Sequence, residues 1–404
     1  MKFVDGGVAA AQGFLASGVH CGIRKNRDKK DLALIYCETE CNAAAVYTLN
    51  KVKGSPLIIT QKHLANGKAR AVIVNSGNAN TCNADGEQKA TLMCEYTADA
   101  LHIDKSDVIV ASTGVIGQVL PIEPIQNGME ELVKGLSKSG STDAAEAIMT
   151  TDLCKKELAI SFKLDGKTCY LGGISKGSGM IHPNMATMLG FLTTDVNISQ
   201  EMLKLALSTT VVDTYNMVSV DGDTSTNDMV SIMSSGLAGN KIIDCQNEDF
   251  ESFVKALNKI NVAMCRSIAK DGEGATKLLD CVVTGSPDKE TARQIAKTVI
   301  TSSLLKAAMF GADANWGRVL CAIGYAPVDI DINKVDVAFA SAAGSIDVCK
   351  NGAGLEFDEG LAKKILLEDE VNINIDIHAG TETATAWGCD LTYDYVKING
   401  DYRT

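Results

Sequence analysis

Residues 172–190 read GGISKGSGMIHPNMATMLG, and here the chain becomes rich in glycine and small residues. Side chains this small let backbones approach closely, as a loop around a reactive site requires. Lys176-Gly177-Ser178-Gly179 resembles a phosphate cradle, but it lacks the full G-x-x-x-x-G-K-S/T spacing and no helical pattern follows at once. An ordinary loop would account for the glycines alone. The run HPNMATMLG at 182–190 is more pointed, because it sets one hydroxyl residue, Thr187, directly after a small one, Ala186. That is the layout of a scissile peptide. In an N→O acyl shift the Thr187 hydroxyl attacks the Ala186 carbonyl and forms an ester that water hydrolyses, and a strained segment favours the attack by holding the peptide near the reactive geometry.

Cleavage there would leave fragments 1–186 and 187–404, with Thr187 at the head of the second. Its freed α-amine, with an ordinary pKa near ~7.7, is a general base beside its own hydroxyl nucleophile, so no histidine is needed. His182 offers a competing base, yet it stands beside Pro183 and five residues from Thr187, a spacing that guarantees no hydrogen bond. A structural role is the plainer reading of His182.

Just upstream, segment 157–173 alternates around Asp165-Gly166 and predicts a β-hairpin whose returning strand is Lys167 to Leu171. Strand-like runs DLALIY, RAVIVN, DVIVAS, LLDCVV, VDVAFA and VNINIDI recur along the chain, and helical periodicity marks 126–138, 199–212, 250–270, 288–308 and 358–367. The class is mixed α and β. No internal repeat or low-complexity linker marks a domain boundary.

Composition narrows the function further. The 404 residues are 46% hydrophobic, enough for two domains or one large layered one. A formal net charge of -12 without clustered Lys and Arg argues against a nucleic-acid partner, and the basic run KNRDKK at 25–30 reads as a solvated loop. Thirteen cysteines, an odd number scattered through apolar stretches, read as reduced thiols, and Cys37 with Cys41 lacks the second pair that a zinc site needs. Asp221, Asp223 and Asp228 depart from the spacing of a calcium loop, so no metal is expected. No run approaches the ~18 apolar residues of a membrane span. The opening MKFVDGGVAAAQGF has an early acid and scattered glycines where a signal peptide needs an apolar core, so a cytoplasmic location is expected.

The signature KGSGMIHPNMATML at 176–189 resembles that of the ornithine acetyltransferase family, also called glutamate N-acetyltransferase or the arginine-biosynthesis bifunctional protein. Further matching stretches are VIVNSGNAN at 72–80, ASTGVIGQVLP at 111–121, MTTD at 149–152, MVSVDGDTSTND at 217–228, KDGEGATK at 270–277, MFGADANWGRV at 309–319 and YVKINGDYRT at 395–404. The likeness spans essentially the whole chain. It implies an αββα-type layered α/β (α+β) fold, two stacked sheets flanked by helices, in a self-cleaving enzyme with an N-terminal nucleophile. It also implies cleavage between Ala186 and Thr187 into chains 1–186 and 187–404, assembled as two α and two β chains.

The implied reaction is a double displacement in which Thr187 takes acetyl from N2-acetyl-L-ornithine and passes it to L-glutamate, without a resident cofactor; some family members also use acetyl-CoA as donor. The oxyanion hole falls on Thr113 and Gly114, where each donor aimed at a developing oxyanion commonly contributes ~2.7–4 kcal/mol. Substrate contacts carry over to Thr150, Lys176, Thr187, Glu273, Asn399 and Thr404, with Lys176 suited to a carboxylate and Glu273 to an ammonium. Taken singly, Lys176 and Glu273 would read as surface charges. Asn315-Trp316-Gly317-Arg318 fits a ligand contact or a turn equally. Gly400 stands where the family's terminal motif has alanine, which affects flexibility more than chemistry. Two other classes compete: an N-terminal-nucleophile amidase or aminopeptidase, in which water resolves the acyl-enzyme, and an uncleaved binding protein for acidic or amino-acid ligands.

Overall fold

The run LALIYCETECNAAAVY forms one long strand, Leu32–Tyr47, on which the architecture turns. The computed structural model describes residues 1–182 and 188–401; Ala186, Thr187 and Thr404 lie outside the described residues. Along the long strand Leu32 and Leu34 enter one apolar cluster, Ala33, Ile35 and Ala43 a second, and Ala44 a third, as a strand covered on both faces must. Between Tyr36, opposite Ala71, and Cys41, opposite Ala69, the register slips. The extra residues form a bulge, which bends the strand. Before the bulge it pairs with Phe14–Val19 and most of Lys68–Asn78, and after it with Met229–Ser234.

The nine-stranded sheet therefore folds over itself. Phe14–Val19, Lys68–Asn78, Val108–Val115 and the first half of the long strand make one layer. Lys2–Val4, Lys156–Leu164, Lys167–Lys176, Leu189–Thr194 and Met229–Ser234 make the other. Ile35, Val72, Val74 and Ile109 from the first meet Ile174, Leu189, Phe191 and Met229 from the second in one buried cluster. Helices Ser55–His63, Gly86–Leu101 and Ile122–Lys134 cover the first layer, and Gln200–Val212 and Glu248–Lys270 the second, giving the expected αββα order. A seven-stranded mixed sheet runs in the order Ala353–Gly354, Gly344–Lys350, Asp336–Ser341, Glu370–Asp376, Leu278–Ser286, Glu382–Cys389, Val218–Ser219. Glu248–Lys270 touches strands of both sheets.

Capping explains most of the helix starts. Ser199, Asn247 and Asp288 each accept a hydrogen bond from the N–H three residues on, so the expected helices appear at Gln200–Val212, Glu248–Lys270 and Lys289–Thr301. The helix expected over 288–308 is two helices, because Ser302 has extended backbone (ψ 109°) and its hydroxyl caps Ser303–Phe310. The pattern at 126–138 begins earlier, at Ile122 after Pro121, and stops at Lys134; that at 358–367 is Glu359–Leu366. The hairpin turns at Asp165-Gly166, both at positive φ (46° and 72°), and its returning strand runs past Leu171 to Lys176.

Strands Leu189–Thr194 and Met229–Ser234 lie between Lys167–Lys176 and Leu32–Tyr47. Residues on either side of position 187 thus share one hydrogen-bonded sheet. Among the described residues no helix is long and apolar enough to cross a membrane.

Candidate active site

Antiparallel pairing sets Lys176, the last residue of its strand, opposite Leu189, the first of the next. The glycine-rich run is thus the connection between neighbouring strands. Lys176 is 9% exposed, and burial lowers its ammonium pKa while Asp152 works the other way. Asp152 ties several motifs together. Its Oδ2 accepts the Thr150 N–H at 2.9 Å, and its Oδ1 accepts the Lys156 ammonium at 2.7 Å and the Gly177 N–H at 2.8 Å. Lys156 also donates to Asp271 Oδ2 at 2.6 Å. Burial works against charge on Asp152, but Lys176, Lys156 and these hydrogen bonds win and hold its carboxyl well below the usual range.

Glu273 reaches the same place from another loop. Its N–H donates to the Ser178 carbonyl at 3.0 Å, and its carboxylate accepts from Asn399 Nδ2 at 2.8 Å. A Cβ on Gly179 would stand 2.4 Å from that carboxyl group, so the glycine makes room for it. Thr150, Lys176, Glu273 and Asn399, far apart in sequence, are therefore brought together.

Thr113 and Gly114 end the strand Val108–Val115, opposite Ser76 and Gly77. Gly114 has φ 130°, and a Cβ there would lie 2.4 Å from the Gly77 carbonyl carbon, so no other residue fits. Asn227 fastens the stretch before Met229 over this strand end. Its Nδ2 donates to the Ala79 and Ser112 carbonyls at 2.6 and 3.0 Å, and its Oδ1 accepts the Thr81 and Thr226 hydroxyls. Next to it, buried Asp228 has one oxygen without a hydrogen-bond partner; burial pushes its pKa well above the usual value, only partly opposed by Ser225 and Lys176. The Met229 N–H then donates to the Met188 carbonyl at 3.0 Å. Short links thus join the Thr113 strand to the residue after Thr187, which itself lies outside the described residues, as do Ala186 and Thr404.

Sequence reasoning missed Asp152, Lys156 and Asp271. Asp152 and Asp271 sit inside MTTD and KDGEG, where an acid within a matching motif was the available signal; Lys156 carried none. The three aspartates of 221–228 go separate ways: Asp221 accepts the Met180 and Ile181 N–H groups at 2.6 and 2.8 Å, Asp223 is exposed, and Asp228 is buried. His182 Nδ1 lies 3.1 Å from the Ser219 hydroxyl, and burial, then Lys297, lowers its pKa to about 4, which fits a neutral structural imidazole. Asn315 caps the helix Trp316–Gly324 through the Arg318 N–H, so NWGR is a helix start. Cys37 and Cys41 are buried free thiols.

The model of the ArgJ family matches residues 15–404. The arginine biosynthesis bifunctional protein ArgJ of Caldanaerobacter subterraneus is 50% identical over 405 residues, covering 100% of both chains. ArgJ 1 of Clostridium acetobutylicum is 51% identical over 392 residues, covering 97% of this chain and 96% of its own. The crystal structure of the Bacillus halodurans ArgJ is 45% identical with a TM-score of 0.50, and covers 52% of this chain and 98% of its own. With a family match over nearly its whole length and full-length relatives at half identity, this chain belongs to the ArgJ family.

Proposed function

We propose that this chain cuts itself between Ala186 and Thr187, and that Thr187 then carries acetyl from N2-acetyl-L-ornithine to L-glutamate. The observation that carries this reading is the pairing of a buried ammonium, Lys176, with the Glu273–Asn399 pair beside the strand connection that contains Thr187. One buried cation and one half-buried carboxylate suit a ligand that bears both a carboxylate and an ammonium. Thr150 and, at the carboxyl end, Thr404 complete the proposed substrate contacts. In the first half-reaction the Thr187 Oγ bonds to the acetyl carbon of acetylornithine and its proton passes to the Thr187 α-amine. That amine returns the proton to the departing ornithine nitrogen; in the second half-reaction the glutamate amine bonds to the acetyl carbon, and the proton it loses passes through the same α-amine to the departing Thr187 Oγ. Thr113 and Gly114 are the proposed oxyanion donors, of a kind worth ~2.7–4 kcal/mol each.

The scheme calls on no metal and no resident cofactor, and acetyl-CoA is a candidate second donor. The Bacillus halodurans crystal chain, matched almost end to end by about half of this one, supports the cut into two chains. Two copies of each, in the cytoplasm, is the proposed assembly. Intact-mass measurement with amino-terminal sequencing tests the cut: a fragment beginning Thr-Met-Leu-Gly is expected. Thr187→Ala should stay a single 42.7 kDa species without acetyl exchange between ornithine and glutamate, and Thr187→Ser should keep some of both activities. Normal exchange by Thr187→Ala would remove the nucleophile assignment, and release of free acetate in place of acetylglutamate would favour the amidase reading.

A further inference from the structure

One stretch, residues 219–229, grips the self-cleavage loop on both sides. Upstream, Asp221 accepts the Met180 N–H on Oδ2 and the Ile181 N–H on Oδ1, at 2.6 and 2.8 Å. The Val220 N–H donates to the Ile181 carbonyl at 2.8 Å, and the Thr224 hydroxyl donates to the His182 carbonyl at 2.8 Å. Downstream, the Met229 N–H holds the Met188 carbonyl at 3.0 Å. The gripping stretch is itself tied down: Thr48 Oγ1 donates to the Ser225 carbonyl at 3.0 Å, and Asn50 Nδ2 to the Thr224 carbonyl at 2.9 Å.

The grip also holds a strained backbone. Met180 has φ 56°, in the left-handed region where a side chain costs energy, on the order of 1–3 kcal/mol. Such a conformation persists only where its surroundings over-determine it, and two charge-assisted bonds from one carboxylate to successive N–H groups do that. A peptide anchored at both ends to one fixed stretch has few ways to move its reacting atoms apart.

We infer that Asp221 and Thr224 are positioning residues for self-cleavage, acting as a splint that fixes the chain entering the scissile peptide. The inference rests on Thr187 as the self-cleaving nucleophile. Once the peptide is cut, residues 180–182 no longer connect through the chain to Thr187, whereas Met188 stays held by Met229. The splint therefore acts on cutting and not on acetyl transfer.

The test follows the decay of intact chain by mass after synthesis, alongside kcat for acetyl exchange per cut molecule. Asp221→Asn keeps the shape but turns an amide donor toward a backbone donor, and Thr224→Val removes the hydroxyl bond without changing volume. Both should cut ~10–100-fold more slowly, the range that misplacement of about 1 Å produces. Asp221→Glu should restore part of the rate. Asp221 also receives the Tyr395 hydroxyl at 3.4 Å, from the helix that carries Asn399, so the transfer readout is taken on Thr224→Val, whose cut fraction should keep kcat within about twofold. Cutting at the parental rate in both variants overturns the splint, as does an equal loss of cutting and of kcat in Thr224→Val. A Thr187→Ala chain that is still cut at 186–187 overturns the underlying nucleophile reading instead, so the two failures are distinguishable.

Discussion

Lys156 offers a direct test of how the Asp152 end of the candidate site is held. It is 1% exposed and sits between two carboxylates, Asp152 (0%) at 2.7 Å and Asp271 (8%) at 2.6 Å. Lys156→Met keeps most of the side-chain length and removes the charge, leaving two buried carboxylates without the cation between them. Removing one partner of a buried ion pair typically costs ~3–5 kcal/mol, because the abandoned charge stays buried. The Gly177 N–H on Asp152 and the Leu153 and Cys154 N–H groups on Asp271 remain as donors, which places the expected loss toward the lower end, about 3 kcal/mol. Native stabilities of ~5–15 kcal/mol make that a large fraction.

The assay is urea unfolding in the Thr187→Ala background, where one uncut chain is expected. The pH dependence carries the sign. A carboxyl whose folded pKa is depressed contributes stability above its unfolded pKa and loses it as pH falls through the folded value. Asp152 is such a group, and without Lys156 it is depressed less. The gap between the variant and its parent should be widest near neutral pH and should narrow on acidification. Lys156→Met/Asp152→Asn should recover part of the loss. An unchanged unfolding midpoint at neutral pH, or a gap that widens as pH falls, would refute the electrostatic account.

Two further outcomes follow from the same geometry. Gly179→Ala should fold, because the obstructing group is the movable end of Glu273, but the displaced carboxylate parts from Asn399. Losing the charged hydrogen bond that this carboxylate would offer a substrate ammonium, ~1.5–3 kcal/mol, should raise the KM of the amino-acid substrates by at least about tenfold with kcat little changed, as steady-state kinetics will show. Because burial lowers the Lys176 pKa, carboxylate binding should weaken as pH rises through that lowered value, short of the ordinary lysine range near ~10.4. A KM profile that stays flat to the ordinary range would refute the burial argument, and Lys176→Arg, which keeps its charge, should show no such rise.

The candidate site was legible in part because its residues sit in runs with unusual local demands. The glycines of KGSGMIHPNMATML signalled close backbone approach in what is a connection between neighbouring strands, and ASTGVIG contained Gly114, where a Cβ would meet backbone. The hairpin at Asp165-Gly166 and the caps at Ser199, Asn247 and Asp288 are likewise local events, so they could be placed or nearly placed from pattern. Ser302 misled because an apolar period continues across it while its backbone does not.

Sequence alone determined the alternating strands, the helical faces and the signature runs, since each depends on residues a few positions apart. Only the tertiary structure decided that the long strand bends at its bulge, that both sides of position 187 share one sheet, that Lys156 stands between Asp152 and Asp271, and that Asp221 and Asn227 fasten distant loops. Those are pairings across tens to hundreds of residues. They are selected by which apolar faces can be buried together and which buried charges find partners, and no local pattern carries that information.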